Sequence, residues 1–390
     1  MIEVTATLPR GSAYLAGEQI KCHVTFKNSR PNNGDRNRLE NCDQIAWASV
    51  QIHCQCSVSE SRVKLVRSNS LSTEEVSTTG CNTSFVPNRG ERGLTVFSTK
   101  PKILFCDLQL LPGESKTYLY CDSLPQDAPP SFRGQAVKYS YKLTIGTQRL
   151  NHPTRLLRIP IRVLVLYGLN DISVYNEPEE VAPTNPFLKA QRQENSLLDV
   201  ALQVIATVTA RKSPNTYNIT NARGKVGKFC LFKLAYKLGE DIVGVFDFTG
   251  STIPCVQFSV TLQSEEQIAE ECRIKSKDSI LVMPYSKQQE MCLHLSKTHI
   301  CVPIPMVVTP GFITDTVCLR WRLHFEFVTA LNPVPGPPLP TSPEESTSWM
   351  GAPVLDVETM VWDLPIKIFP SNPIHASGAL VLRTTNSISV

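Results

Sequence analysis

The chain has 390 residues, of which 42% are hydrophobic and 19% are charged, and its formal net charge is +4 at pH 7. This small charge, without a concentrated block of Lys and Arg, argues against a nucleic-acid-binding protein. No run of about 18 apolar residues occurs, and residues 1–5 lack the basic and apolar regions of a secretory signal. We therefore expect a cytosolic protein whose 13 cysteines are free thiols and whose membrane contact is peripheral.

The first ordered stretch is Gln19–Asn28, which follows the turn Tyr14-Leu-Ala-Gly17-Glu18. Apolar residues alternate there with polar ones: Ile20, Cys22, Val24 and Phe26 against Lys21, His23, Thr25 and Lys27. A period of two predicts a β-strand with one face in a core and the other in water. Gly17 supplies the positive-φ position of the turn before it.

The nearest approach to a metal-binding cluster is His53-Cys54-x-Cys56. Two residues apart in a strand, Cys54 and Cys56 face the same side. The second half of the chain repeats the first, as described below, and in that repeat the two cysteines align with Val260 and Leu262. This alignment favours core packing over metal binding. We expect no metal site and no cofactor.

Residues 61–104 are rich in Ser and Thr and are predicted to be a disordered insertion. Within them, Arg67-Ser-Asn-Ser70-Leu-Ser72 places a basic residue ahead of several serines. This is either a solvated polar loop or a kinase site with Ser70 as the favoured acceptor. Phosphate at Ser70 would add nearly two negative charges and could recruit an Arg-rich partner surface.

A second turn, Pro129-Pro-Ser-Phe132-x-Gly134, leads into residues 137–145, which again alternate with period two. After it, residues 170–216 form a linker. Six apolar residues of this linker have helical spacing: Leu197, Leu198, Ala201, Leu202, Ile205 and Val208. A strand is the alternative for this segment. Its apolar residues Leu198, Leu202 and Ile205 either pack back on the sheets or insert into a partner.

The second half of the chain repeats the first in four blocks of conserved order. In the first block, Ala13, Tyr14, Gly17, Glu18, Ile20 and Phe26 match Ala235, Tyr236, Gly239, Glu240, Ile242 and Phe248. In the second, Val50, Gln51 and Glu60 match Val256, Gln257 and Glu266. In the third, Pro125, Pro130, Phe132, Val137 and Leu143 match Pro305, Pro310, Phe312, Val317 and Leu323, and in the fourth, residues 159–163 match residues 364–368. Such a repeat predicts two copies of one domain that differ mainly in loop length.

The predicted fold class is therefore all-β, with two tandem β-sandwiches in residues 1–169 and 217–372, a partly helical linker 170–216 and a tail 373–390. A Pro- and Ser-rich insertion falls at about 332–353. In the second copy, residues 317–327 alternate again, and Arg320, Arg322, His324 and Glu326 form the polar side. This side is either an ordinary wet sheet face or a docking face for a partner.

Two of these elements resemble the arrestin fold, a pair of β-sandwiches found in arrestins and related trafficking adaptors. The matching residues are Tyr14-Leu-Ala-Gly17-Glu18-Gln-Ile20 and Leu124-Pro125-x-x-x-Pro129-Pro-Ser-Phe132-x-Gly134, with a weaker copy from Ile304 to Phe312. We find no polar-core set and no C-terminal tail motif, so the resemblance does not imply sensing of receptor phosphates.

Within that superfamily the whole chain resembles a family of retrograde Golgi transport proteins, through residues 236–248 and 308–327. The resemblance implies a non-catalytic subunit of a guanine-nucleotide exchange factor, paired with a larger subunit made of a propeller and a helical region. Their complex would act on the GDP form of a Golgi Rab GTPase of the "Rab-six" type and contact the Golgi membrane peripherally. The process implied is retrograde endosome-to-Golgi and intra-Golgi vesicle transport.

The sequence contains no nucleotide-binding loop, no nucleophile elbow and no H-E-x-x-H motif. Exchange needs only tighter binding to the nucleotide-free GTPase, so surfaces are sufficient for the expected function. The alternative in the binding class is a cargo adaptor of the arrestin-domain or retromer type in endosomal sorting. An enzyme would require a cleft that holds a strongly perturbed His or Cys.

Overall fold

The structure is a computed structural model that describes residues 1–30, 42–64, 85–167, 197–211, 213–274, 279–336, 351, 353–378 and 385–390. Its α-helices are α1 (Leu197–Val208) and α2 (Pro373–Gly378), and a short 3-10 helix spans Glu270–Cys272. The strands are β1 (Ile2–Thr7), β2 (Ala13–Leu15), β3 (Gln19–Asn28), β4 (Asp43–Val58), β5 (Leu94–Ser98), β6 (Lys102–Leu110), β7 (Ser115–Ser123), β8 (Phe132–Arg133), β9 (Val137–Gln148), β10 (Arg155–Leu164), β11 (Asn215–Asn221), β12 (Gly224–Leu231), β13 (Ala235–Lys237), β14 (Asp241–Asp247), β15 (Cys255–Ile268), β16 (Ile280–Met291), β17 (Lys297–Pro303), β18 (Phe312–Ile313), β19 (Val317–Ala330), β20 (Val357–Phe369) and β21 (Thr385–Ser389).

The N-terminal domain is a sandwich of two sheets. One sheet has the strand order β21-β1-β3-β7; the other has the order β2-β10-β9-β4-β5, with β6 on β4 and β8 on β9. The alternating pattern of β3 places four side chains in the core with no exposed surface: Ile20, Cys22, Val24 and Phe26. Gly17, at φ +87°, makes the turn that the sequence predicts.

The C-terminal domain repeats this plan with the sheets β11-β12-β14-β17 and β13-β20-β19-β15-β16, the latter carrying β18 on β19. The short parallel pairs show the equivalence directly. Tyr14 pairs with Val163 in the first domain, and Tyr236 pairs with Ile368 in the second. The predicted all-β fold of two tandem sandwiches is confirmed.

The register of the repeat differs from the sequence alignment on one strand pair. Cys56 lies opposite Tyr139 and Glu266 lies opposite Leu319, and these two partners are equivalent. Cys56 therefore corresponds to Glu266 and not to Leu262. The two alignments of this strand differ by four residues, which is an even number. The predicted inward face is thus retained, and Cys56 is 2% exposed.

The predicted disorder of residues 61–104 is wrong for the described part of that segment. Strand β5 pairs with the end of β4, and β6 pairs with its beginning. Thr99 reinforces this arrangement, since its hydroxyl accepts a hydrogen bond from the N–H of Ile52 at 3.1 Å. The high Ser and Thr content did not exclude strands, because these residues also occur at solvent-exposed edges of sheets.

The last residues do not form a free tail. The hydroxyl of Ser377 on α2 accepts a hydrogen bond from the N–H of Ala13 at 2.9 Å. Strand β21 then pairs antiparallel with β1, from Glu3 opposite Ser389 to Thr7 opposite Thr385. The C-terminal residues thus complete a sheet of the N-terminal domain.

We expect the thiols to divide sharply in reactivity. Cys22 and Cys54 are fully buried, and burial raises the pKa of both to about 12. Cys106 and Cys301 are exposed. Brief treatment of the native protein with iodoacetamide, read by peptide mass, should modify the exposed pair at least about tenfold faster. Equal labelling of all four before denaturation would contradict this prediction; equal labelling in denaturant is the control.

Candidate partner-binding surfaces

The two sandwiches meet at a joint whose central polar group is Glu266. This residue of β15 is 3% exposed. Its carboxylate accepts hydrogen bonds from three consecutive backbone N–H groups of the other domain: Gln135 at 2.6 Å, Ala136 at 3.0 Å and Val137 at 2.9 Å. A Cβ at Gly134 would collide with this carboxylate, which explains the glycine of the Pro-Pro-Ser-Phe-x-Gly turn. Charge-assisted bonds of this kind fix the start of β9 against β15.

Arg162 makes the reciprocal contact from the N-terminal domain. It lies on β10, is 6% exposed, and donates to the carbonyl oxygens of Met306 at 3.0 Å and Val308 at 2.7 Å. Burial lowers the pKa of Arg162 to about 10, so the guanidinium stays charged near neutral pH. Each domain therefore holds the backbone of the other with one buried charged side chain.

Equivalent residues of the repeat also pack on each other at the joint. The rings of Phe132 and Phe312 meet edge to face, with centroids 5.0 Å apart. The hydroxyls of Tyr139 and Thr314 are hydrogen-bonded at 3.1 Å. Phe312 belongs to the same hydrophobic cluster as the N-terminal core. Apolar packing and buried polar bonds together hold the two domains as one scaffold.

The charged face predicted on β19 is present, and its charges are largely paired. Arg322 contacts Glu265 at 2.6 Å and Asp363 at 3.2 Å, and Nδ1 of His324 lies 2.7 Å from Asp363. Arg320 is exposed beside Glu265 on the neighbouring strand. Asp363 thus brings Arg322 and His324 together, and the arrangement favours the interpretation as a wet, internally neutralised sheet face.

The corresponding face of the N-terminal domain was missed by the sequence reasoning. Lys142 and Arg158 occupy the positions of Arg322 and Asp363, so two cations replace an ion pair. The carboxylate comes from Glu91, which binds Lys142, lies 3.2 Å from Nε of Arg158 and lies 3.6 Å from Nε2 of His53. Comparing the polar sides of the two copies position by position could have revealed this difference.

The electrostatics of this N-terminal cluster follow from burial and neighbouring charge. Burial disfavours ionisation of Glu91, but the hydrogen bond and charge of Lys142 and the charge of Arg158 outweigh it and lower the pKa of Glu91. Burial also lowers the pKa of His53, which is 1% exposed. Near neutral pH the cluster therefore combines one carboxylate, two cations and a neutral imidazole.

The predicted linker helix is confirmed, but Ile205 is unavailable to a partner. It is 1% exposed, and Ala201, one turn earlier on α1, belongs to the hydrophobic cluster of the C-terminal domain. Leu198 and Leu202 are half-buried, and Leu198 lines a groove of about 510 Å³ beside Arg10. The structure therefore favours the interpretation in which this apolar face packs back on the sheets.

Ser70, the predicted phosphorylation site, lies outside the described residues. Within the described part of the chain, no group of three or more His, Cys, Asp or Glu residues could hold a metal ion, and no helix is long and apolar enough to cross a membrane.

Comparison with known proteins gives a consistent result. The Rgp1 family model matches residues 67–171 and 170–330. RAB6A-GEF complex partner protein 2 of Homo sapiens is 46% identical over 397 residues, covering 100% of both chains. The protein of the same name from Bos taurus is 47% identical over 376 residues, 94% of this chain and 93% of its own. Since the family model covers most of the chain and the identity extends over its full length, the chain belongs to the Rgp1 family.

Proposed function

We propose that this protein is a non-catalytic subunit of a guanine-nucleotide exchange complex for a Golgi Rab GTPase of the RAB6A kind. The observation that carries the proposal is the 46% identity, over the full length of both chains, to RAB6A-GEF complex partner protein 2. A name of this kind describes a protein that works in a complex. The proposed partner is therefore a larger exchange-factor subunit, made of a propeller and a helical region.

The two-domain joint supports a scaffold role. Glu266 and Arg162 are both nearly fully buried and bind backbone groups across the joint. Two sandwiches held in this way offer a surface of fixed shape, which a larger subunit could use without a costly rearrangement. Acceleration of GDP release requires only that the complex bind the nucleotide-free GTPase more tightly than the GDP form.

The location follows from the proposed complex. We propose that the chain is cytosolic and reaches the Golgi membrane peripherally, through the complex and the GTPase, in retrograde transport. Its exposed sheet faces are the surfaces on which a partner would dock. A phosphate at Ser70 would add an anionic group to these interactions.

The test is purification of the tagged chain from cytosol at moderate salt, followed by an exchange assay. We expect one much larger partner in stoichiometric amount. The complex should release a fluorescent GDP analogue from a Golgi Rab at least about tenfold faster than either subunit alone, equivalent to about 1.4 kcal/mol of barrier.

The controls separate this function from the cargo-adaptor alternative. A Rab from another compartment should not respond to the complex. Recovery of the chain alone, or with receptor tails and ubiquitin ligases, would reject the exchange-subunit proposal and favour a cargo adaptor.

A further inference from the structure

The outer faces of the two large sheets share one plan but differ in charge. Strand pairing fixes the equivalent positions. The three acids of the C-terminal face are replaced at the equivalent N-terminal positions by residues without negative charge: Glu265 by Gln55, Glu326 by Gly146 and Asp363 by Arg158. The cation at the centre is retained, as Arg322 in one domain and Lys142 in the other. The N-terminal face therefore has cations that its own strands cannot neutralise.

The missing negative charge comes from a turn outside the sheet. We define the Glu91 turn as residues 86–93. Its single carboxylate, Glu91, is 10% exposed and contacts Lys142 and Arg158 together. Arg158 also donates to the backbone carbonyls of Pro87 at 3.0 Å and Arg89 at 2.6 Å. One acidic side chain and the adjoining carbonyls thus occupy a site that the two cations form.

The Glu91 turn leaves buried polar groups beneath it without hydrogen-bond partners. Neither ring nitrogen of His53 has a hydrogen bond in the described part of the chain, although the residue is 1% exposed. The same holds for Nε2 of Gln55 and the hydroxyl of Thr144, which are buried beside it. Buried polar groups are normally satisfied, so this face is better suited to a more polar occupant than the Glu91 turn.

We propose that Lys142, Arg158 and His53 form a binding site for a segment rich in glutamate or aspartate in a partner protein, and that the Glu91 turn occupies this site in the free chain. The incoming carboxylates replace that of Glu91, and further polar groups of the segment bind Gln55 and Thr144. Competition by the chain's own carboxylate weakens binding until the partner supplies more than one acid. The proposal rests on the proposed function only in requiring a protein partner.

The test measures binding of a fluorescein-labelled peptide of ten glutamates to the full-length protein by fluorescence anisotropy at low salt. We expect Glu91→Gln to lower the Kd about tenfold, since the competing charge is removed while its shape is kept. Glu91→Asp, which shortens the side chain, should give a smaller gain in the same direction. In wild type, adding the peptide should accelerate hydrogen exchange in residues 86–93.

The matched control lies on the equivalent face. Asp363→Asn removes a carboxylate from Arg322 in the same way, but Glu265 and Glu326 remain beside the cations, so no gain is expected. In the Glu91→Gln background, Lys142→Gln and Arg158→Gln should each abolish the gain. An equal gain in Asp363→Asn, no gain in either Glu91 variant, or binding confined to a phosphoserine peptide of equal charge would overturn the proposal. The peptide assay needs no exchange complex, so its failure is distinguishable from failure of the proposed function.

Discussion

Replacing Glu266 with alanine is expected to weaken the joint between the domains by about 4 kcal/mol, because three backbone donors, two of them buried, lose their acceptor at once. The side chain is 3% exposed, and its bonds to Gln135, Ala136 and Val137 are 2.6–3.0 Å long. Hydrogen exchange reports these amides directly. We expect exchange there to accelerate by on the order of a thousandfold, which corresponds to that loss of free energy.

The matched control is Glu60→Ala. The sequence alignment pairs Glu60 with Glu266, yet Glu60 is exposed, so its removal should change stability by less than about 0.5 kcal/mol. Unchanged exchange at Gln135 to Val137 in Glu266→Ala would contradict the prediction, because it would show that another protein group protects these amides. Acceleration throughout the N-terminal domain would instead mean that Glu266 stabilises that domain as a whole.

The strands and the repeat could be predicted from the sequence because both rest on short patterns of alternating polarity and of turn residues. The alternation in Gln19–Asn28 reports a sheet with one buried face, and its four inward residues are indeed fully buried. The turns at Gly17 and Gly239 need a positive φ, which glycine adopts without strain, and they have it at +87° and +81°. Each of these signals is complete within about ten residues.

The joint and the N-terminal cluster could not be predicted because they depend on register and on distant loops. The sequence alignment matched Glu266 with Glu60 because both residues are glutamates. Strand pairing instead makes Glu266 equivalent to Cys56. A shift by an even number of residues preserves the buried face, so the pattern of burial cannot reveal it. Glu91 lies in a segment without periodicity, and only the fold places it over Lys142.

Replacing Arg162 with glutamate is expected to have an effect as large as that of Glu266→Ala. The new carboxylate would face the carbonyl oxygens of Met306 and Val308, which now accept hydrogen bonds at 3.0 and 2.7 Å. Burying an unpaired negative charge against two acceptors should cost roughly 4 kcal/mol. Urea unfolding followed by tryptophan emission measures the loss, since the indole of Trp321 donates to the carbonyl of Thr309 near these acceptors.

Lys367→Glu is the control, because Lys367 pairs with Ala235 as Arg162 pairs with Ala13 but is exposed. The same charge reversal there should change the unfolding midpoint little. Small-angle scattering then separates two outcomes of Arg162→Glu. A larger radius of gyration with both domains folded means that the angle between the domains depends on Arg162. An unchanged radius and midpoint would show that aromatic packing at Phe132 and Phe312 holds the domains without the arginine.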